Sequence, residues 1–198
     1  MKLIFISGPS GSGKTTLSNQ IILKINNGFV LSTDNYYKTG LISKLLSKFV
    51  EGYFDRGISF NYKLFKKDFD FIIKNQISIH DRYYNFEKKT IQKISNASKD
   101  ISFLIVEGIF AKEFSNTLNN QNYYLLEIKT KKNVCMRRVI QRDLRERGKN
   151  KEKAKNDFLK SWDIYYERYK NVSFKNNKNE ITITSKTNLN EILKKILN

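Results

Sequence analysis

Short apolar runs, separated by stretches with helical periodicity, lay out the plan of this chain. Runs of strand length recur at Leu3–Ile6, Phe29–Leu31, Phe103–Val106, Tyr124–Ile128 and Ile181–Ile183. The clearest are near-continuous rather than alternating, as in strands covered on both faces. Between them apolar residues return at helical spacing. Leu17, Ile21, Ile22 and Ile25 form one stripe, Phe65, Phe69 and Ile72 a second, and Val134, Val139, Ile140 and Leu144 a third. Thr187 or Asn188 can cap a last helix carrying Leu189, Ile192, Leu193 and Ile196. Trp162, Tyr165, Tyr166 and Tyr169 also fall at helical spacing and read as packing residues, whereas Phe174–Glu180 is polar and reads as a loop. Strands alternating with helices predict an α/β fold with a mostly parallel five-stranded sheet and helices on both faces. No repeat or Pro/Gly-rich linker divides it, so one domain is expected over residues 1–198.

Composition narrows the class. The chain has 198 residues, of which 39% are hydrophobic, enough for a sizeable core. Its one cysteine, Cys135, excludes an intrachain disulfide and suits a reducing cytosol. The first apolar run, Leu3–Ile6, is too short for a signal-peptide core or a membrane span. A cytoplasmic protein with no membrane partner is expected. The net charge of +18 is scattered, with short clusters such as Lys66-Lys67, Lys88-Lys89 and Lys131-Lys132. The enrichment in Lys, Asn, Ile, Phe and Tyr also follows from AT-rich codons. A solvated basic surface, compatible with a nucleotide substrate, is the favoured reading, and nucleic acid is not the expected partner. His80 is the only histidine, which excludes a histidine-based triad or a multi-histidine metal site and leaves an ordinary loop or edge residue.

The chemistry concentrates in Gly8-Pro9-Ser10-Gly11-Ser12-Gly13-Lys14-Thr15, a complete phosphate-loop pattern between a predicted strand and a predicted helix. The glycines let successive amides converge on phosphate, the helix start adds its dipole, and Lys14 adds a full charge. Gly8, Ser10, Gly11, Ser12, Gly13, Lys14, Thr15 and Thr16 are therefore candidate ATP-binding residues, with the Thr15 hydroxyl a candidate Mg²⁺ ligand. Glu107 stands at the C-terminal tip of the Phe103–Val106 strand, where it would face the same ion, or else acts as a helix-capping or surface carboxylate. Asp34 follows the Phe29–Leu31 strand and could take a proton from an attacking hydroxyl, or simply form an Asx-turn. Arg137, Arg138 and Arg142 lie close together on a predicted helix that also carries Arg145 and Arg147. They could close over transferring phosphates, or pair with Asp143 and Glu146 on a surface helix. Neither Thr130-Lys131-Lys132-Asn133 nor Asn177-Lys178-Asn179-Glu180 completes a guanine-reading motif, which argues against a GTPase.

These segments, in this order, resemble the uridine kinase family of phosphate-loop kinases, relatives of phosphoribulokinase and pantothenate kinase. Besides the phosphate loop, Asp34–Tyr37 resembles the family's D-x-F/Y-Y, Phe54–Phe60 its F-D-H-P-D-A-F, and Tyr84-Asn85-Phe86 its Y-D-F. Glu107-Gly108 matches its E-G, and Arg142–Gly148 its R-D-x-x-E-R-G lid. The resemblance implies a P-loop NTPase three-layer sandwich with an acceptor-binding insertion at about 35–100 and a helical lid at about 137–155. It implies that Asp34 is the catalytic base and a magnesium contact, and that Lys14 and Arg142 serve catalysis. It places Asp55 on the nucleoside ribose and Tyr37, Tyr84 and Phe86 around the acceptor. The departures fall on the acceptor side: Asn85 and Gly57 replace Asp and Pro, and Lys89 lies nearest the position of the family's histidine. The expected reaction is transfer of the γ-phosphate of ATP or GTP, with Mg²⁺, to the 5′-hydroxyl of uridine or cytidine. Two alternatives are a kinase for pantothenate or another small metabolite and a nucleic-acid-binding NTPase. A homo-oligomer is compatible with any of them.

Overall fold

Alternation within the first strand decides which layer each side chain serves. In the computed structural model, which describes residues 1–79, 81–94, 99–118, 122–170 and 179–197, β1 spans Lys2–Ser7. Leu3 and Phe5 enter the core on one face, Ile4 and Ile6 the core on the other, so both faces are dry. The sheet adds β2 (Gly28–Ser32), β5 (Phe103–Glu107), β6 (Tyr123–Ile128) and β7 (Glu180–Ile183) in the order β2-β5-β1-β6-β7. All four pairings are parallel.

One face is covered by α1 (Lys14–Ile22) and α7 (Leu189–Leu197), through Leu17, Ile21, Ile192 and Ile196. Of the two residues expected to cap α7, Asn188 does so: its Oδ1 accepts from the Asn190 amide at 2.9 Å. The other face carries a larger, aromatic core. Phe65, Phe69 and Ile72 of α3 (Tyr62–Asn75) meet Phe114 of α4 (Ala111–Ser115) and Phe5 of the sheet. Between β2 and α3 lie a 3-10 turn (Thr33–Tyr36), α2 (Leu41–Phe49) and two further 3-10 turns, Tyr53–Asp55 and Gly57–Ser59. A separate antiparallel hairpin follows α3, with β3 at Asp81–Asn85 and β4 at Thr90–Ile94. Finally α5 (Lys132–Glu146) and α6 (Lys151–Lys170) pack on each other around Cys135, Val139 and Phe158.

Two expectations change, and some fall outside the described residues. Leu144 is exposed, because the inward position on its turn of α5 is taken by buried Asp143, whose three cationic neighbours satisfy it. Glu180 opens β7 rather than ending a loop; residues 174–178, His80, and Asn177 and Lys178 of the second guanine-type pattern lie outside the described residues. The helical spacing around Trp162 is that of α6, where Trp162 and Tyr165 pack inward against neighbouring cores; the side chain of Tyr169 is outside the described set.

Candidate active site

At the C-terminal end of β1 the chain leaves the sheet through the phosphate loop and re-enters regular structure at Lys14. Gly11 has φ +78, and a β-carbon there would stand 2.6 Å from the Cys135 carbonyl oxygen of α5, so only glycine lets loop and lid helix approach this closely. Arg138 and Thr130 tie the loop from behind: Arg138 donates to the Gly11 carbonyl at 3.2 Å, and the Thr130 hydroxyl to that of Ser12 at 3.1 Å. Gly13 precedes α1 with no side-chain cap, which leaves the helix's first amides to a ligand. Lys14 is buried and donates to the Pro9 carbonyl at 3.1 Å. The loop forms one wall of a cavity of about 850 Å³, also lined by Thr16, Asp34, Arg138, Arg142, Thr184 and Ile192. Arg137 does not join it. That side chain is exposed on the other side of α5, since neighbouring helical residues diverge by about 100°.

Two carboxylates meet the loop. Glu107 ends β5 in register with Ser32 of β2, and the Ser32 hydroxyl donates to Glu107 Oε1 at 2.6 Å. Burial and the charge of Asp34 push the Glu107 carboxyl upward, opposed by Lys14 and by the Ser32 and Thr15 hydroxyls. Burial likewise pushes Lys14 down from the usual lysine range, while Asp34 and Glu107 hold it up. Gly108 follows with φ +140, where a β-carbon would run into Thr33 Oγ1. Asp34 lies in the 3-10 turn after β2, and its Oδ1 is buried with no hydrogen-bond partner. An orphaned carboxylate oxygen beside a lysine, a second carboxylate and a phosphate loop suits a hard cation that keeps waters and phosphate oxygens as its remaining ligands. No group of three or more His, Cys, Asp or Glu that could hold a metal occurs among the described residues.

The residues expected around an acceptor also come together. The Tyr37 ring lies 5.2 Å from Phe54, 5.3 Å from Tyr84 and 5.6 Å from Phe86, all edge-on. Burial raises the Tyr37 phenol well above its usual value and takes Tyr84 up to about 12, so both stay neutral; the Tyr84 hydroxyl is buried without a partner. Asp55, beside Phe54, accepts from the Ser161 hydroxyl of α6 at 2.6 Å, and burial pushes its carboxyl upward against that bond and the charge of Arg168.

Sequence reasoning missed two participants and left two others without their full role. Arg147, which the sequence left without a role of its own, stacks over Phe86 with its guanidinium 3.9 Å from the ring centre. Asp143 anchors the lid, bonding Arg142 at 2.8 Å and Lys149 at 2.9 Å and pairing with Arg147. Ser161 and Arg168 belong to α6, and nothing in their local sequence marks them.

Comparisons with known proteins give the family. The model of the Phosphoribulokinase / Uridine kinase family matches residues 3–187. A uridine kinase of Borrelia duttonii (strain Ly) is 33% identical over 173 residues, covering 85% of this chain and 80% of that protein. A uridine kinase of Ureaplasma parvum serovar 3 is 29% identical over 178 residues, covering 88% and 84%. Among solved structures, D-glycerate 3-kinase from Cryptococcus neoformans var. grubii shares the fold, with a TM-score of 0.60 at 12% identity over 92% of this chain and 85% of that one. By sequence and by architecture, then, the chain belongs to the phosphoribulokinase / uridine kinase family of ATP-dependent phosphate-loop kinases.

Proposed function

We propose that this kinase transfers the γ-phosphate of ATP or GTP to the 5′-hydroxyl of uridine or cytidine, the salvage route to pyrimidine nucleotides. The observation that carries the reading is Asp34. Its Oδ1 is buried and unpartnered, its residue lines the donor cavity, and its charge acts on Tyr37 and Asp55 of the acceptor cluster. A carboxylate between two sites can take the proton of a hydroxyl attacking phosphorus. The acceptor oxygen bonds to the γ-phosphorus, the bond from that phosphorus to the β,γ-bridging oxygen breaks, ADP or GDP leaves, and the hydroxyl proton passes to Asp34. Lys14, the loop amides, Arg138 and Arg142 hold the donor phosphates and offset their charge. The Thr15 hydroxyl, Asp34 and Glu107 would hold Mg²⁺, whose charge offsets that of the phosphates when bound. Tyr37, Tyr84 and Phe86 wall the acceptor site and exclude water, and Asp55 holds the ribose.

The nucleoside assignment draws support from relatives named uridine kinase at about a third identity over most of the chain. The test is ADP release from ATP and Mg²⁺ with uridine, cytidine, purine nucleosides, pantothenate and D-glycerate, and with RNA. Turnover with uridine or cytidine is expected. Turnover confined to a non-nucleoside metabolite, or ATP hydrolysis stimulated by RNA alone, overturns the proposal.

A further inference from the structure

One cation of α6 has both terminal nitrogens buried without a hydrogen-bond partner among the described residues. Arg168 lies near the end of α6 with its side chain 12% exposed, and its guanidinium sits over the Phe110 ring at 4.6 Å. Both terminal nitrogens, Nη1 and Nη2, are buried without a hydrogen-bond partner. The ion pair from Nε to Glu113 spans 3.7 Å, too long for a hydrogen bond, and Glu113 is half exposed. Buried donors are ordinarily satisfied, and charged ones cost most when they are not. A guanidinium held by ring stacking with both terminal amino groups free is a recognition group awaiting oxygen.

Its surroundings indicate which oxygen. The Phe110 ring under Arg168 lies 6.3 Å from that of Tyr37 in the acceptor cluster, and the charge of Arg168 acts on Tyr37 and Asp55. Ser161, which holds Asp55 Oδ1, is two helical turns earlier on the same side of α6, so one helix supports both groups. A carboxylate only accepts hydrogen bonds, a guanidinium only donates them, and a sugar hydroxyl does both. Resting on the nucleoside reading above, we propose that Arg168 and Asp55 together read the 2′,3′-diol of the acceptor ribose, Asp55 accepting hydrogen bonds from the hydroxyls and Arg168 donating to the hydroxyl oxygens. Arg168 falls outside every motif that carries the family resemblance.

The test is kcat/KM for uridine, 2′-deoxyuridine and 3′-deoxyuridine, at saturating ATP and Mg²⁺, in wild type, Arg168→Met and Arg168→Lys, with urea midpoints to confirm folding. Wild type should prefer uridine by roughly 10²–10⁴, the range for sites built around a hydroxyl. Arg168→Met should lose about 10²-fold on uridine and less on the deoxy analogues, so the ratio moves toward one while the KM for ATP holds. Arg168→Lys keeps the charge without the fork and should fall between. A wild-type uridine preference retained in both folded variants overturns the role of Arg168 while leaving the nucleoside reading intact. If Arg168→Met does not fold, Arg168→Lys decides alone, and an unchanged preference overturns the proposal. A wild type inactive on every nucleoside removes the nucleoside reading, and the diol site with it.

Discussion

Asp34 concentrates the proposed chemistry in one side chain. Asp34→Asn keeps its shape but removes both a proton acceptor and a charge facing the donor phosphates. Turnover should fall by about 10²–10⁴, the usual contribution of a general base, while nucleotide binding measured without Mg²⁺ changes little. A loss smaller than about tenfold would return Asp34 to the status of a turn residue. Lys14, Thr15 and Asp34 were legible in the sequence because their geometry is local: a fixed number of residues from a strand end delivers each to the sheet's C-terminal edge. Asp55 was legible only through resemblance. Its partner Ser161 lies 106 positions along the chain, and Arg168 further still, so no short window contains the pairing.

At the scale of elements, α5 combines the two readings its arginines allowed. Arg138 and Arg142 line the cavity beside the phosphate loop, where the proposed function has them meet phosphate, yet Arg142 is also salt-bridged to Asp143. Asp143 is 2% exposed, and although burial opposes ionisation, Arg147, Lys149 and Arg142 hold its carboxyl below the usual aspartate value. A depressed carboxyl stabilises the fold above its unfolded pKa and loses that contribution as pH falls through the folded value. Asp143→Asn should therefore cost about 2 kcal/mol at pH 7, as its cationic partners are themselves only partly buried. In urea titrations the wild-type and variant stabilities should converge below about pH 4; a constant gap across pH would show that packing rather than charge is at work. The strands were readable because continuous apolar runs survive burial on both faces. The α2 helix was not, since it turns Ser43 inward and leaves Leu41, Ile42, Leu45 and Phe49 between 58% and 85% exposed, the reverse of the amphipathic rule. The hairpin of β3 and β4 was missed as well, because residues such as Arg82, Gln92 and Lys93 carry little apolar signal.

For the whole molecule, the parallel register sets the order in which the chain can become a protein. Lys2 of β1 pairs with Phe103 of β5, and Leu3 with Tyr123 of β6, so the central strand has no neighbour within the first half of the chain. Loop closure must precede any sheet contact, and contacts between such distant residues slow folding. A fragment ending at Ile94 holds β1, β2 and the hairpin but neither β5 nor β6, and should show no cooperative unfolding transition; a sharp one would mean that the insertion folds by itself. Refolding of the full chain should be slow, in milliseconds to seconds or longer, and should slow further on weakening Ile105 or Leu126, whose contacts close the sheet around β1. On the ribosome the phosphate loop is made before the strands that shape it: β1, which aims it, has no strand partner until β5 and β6 have been synthesised, so a nascent chain lacking them should not bind nucleotide.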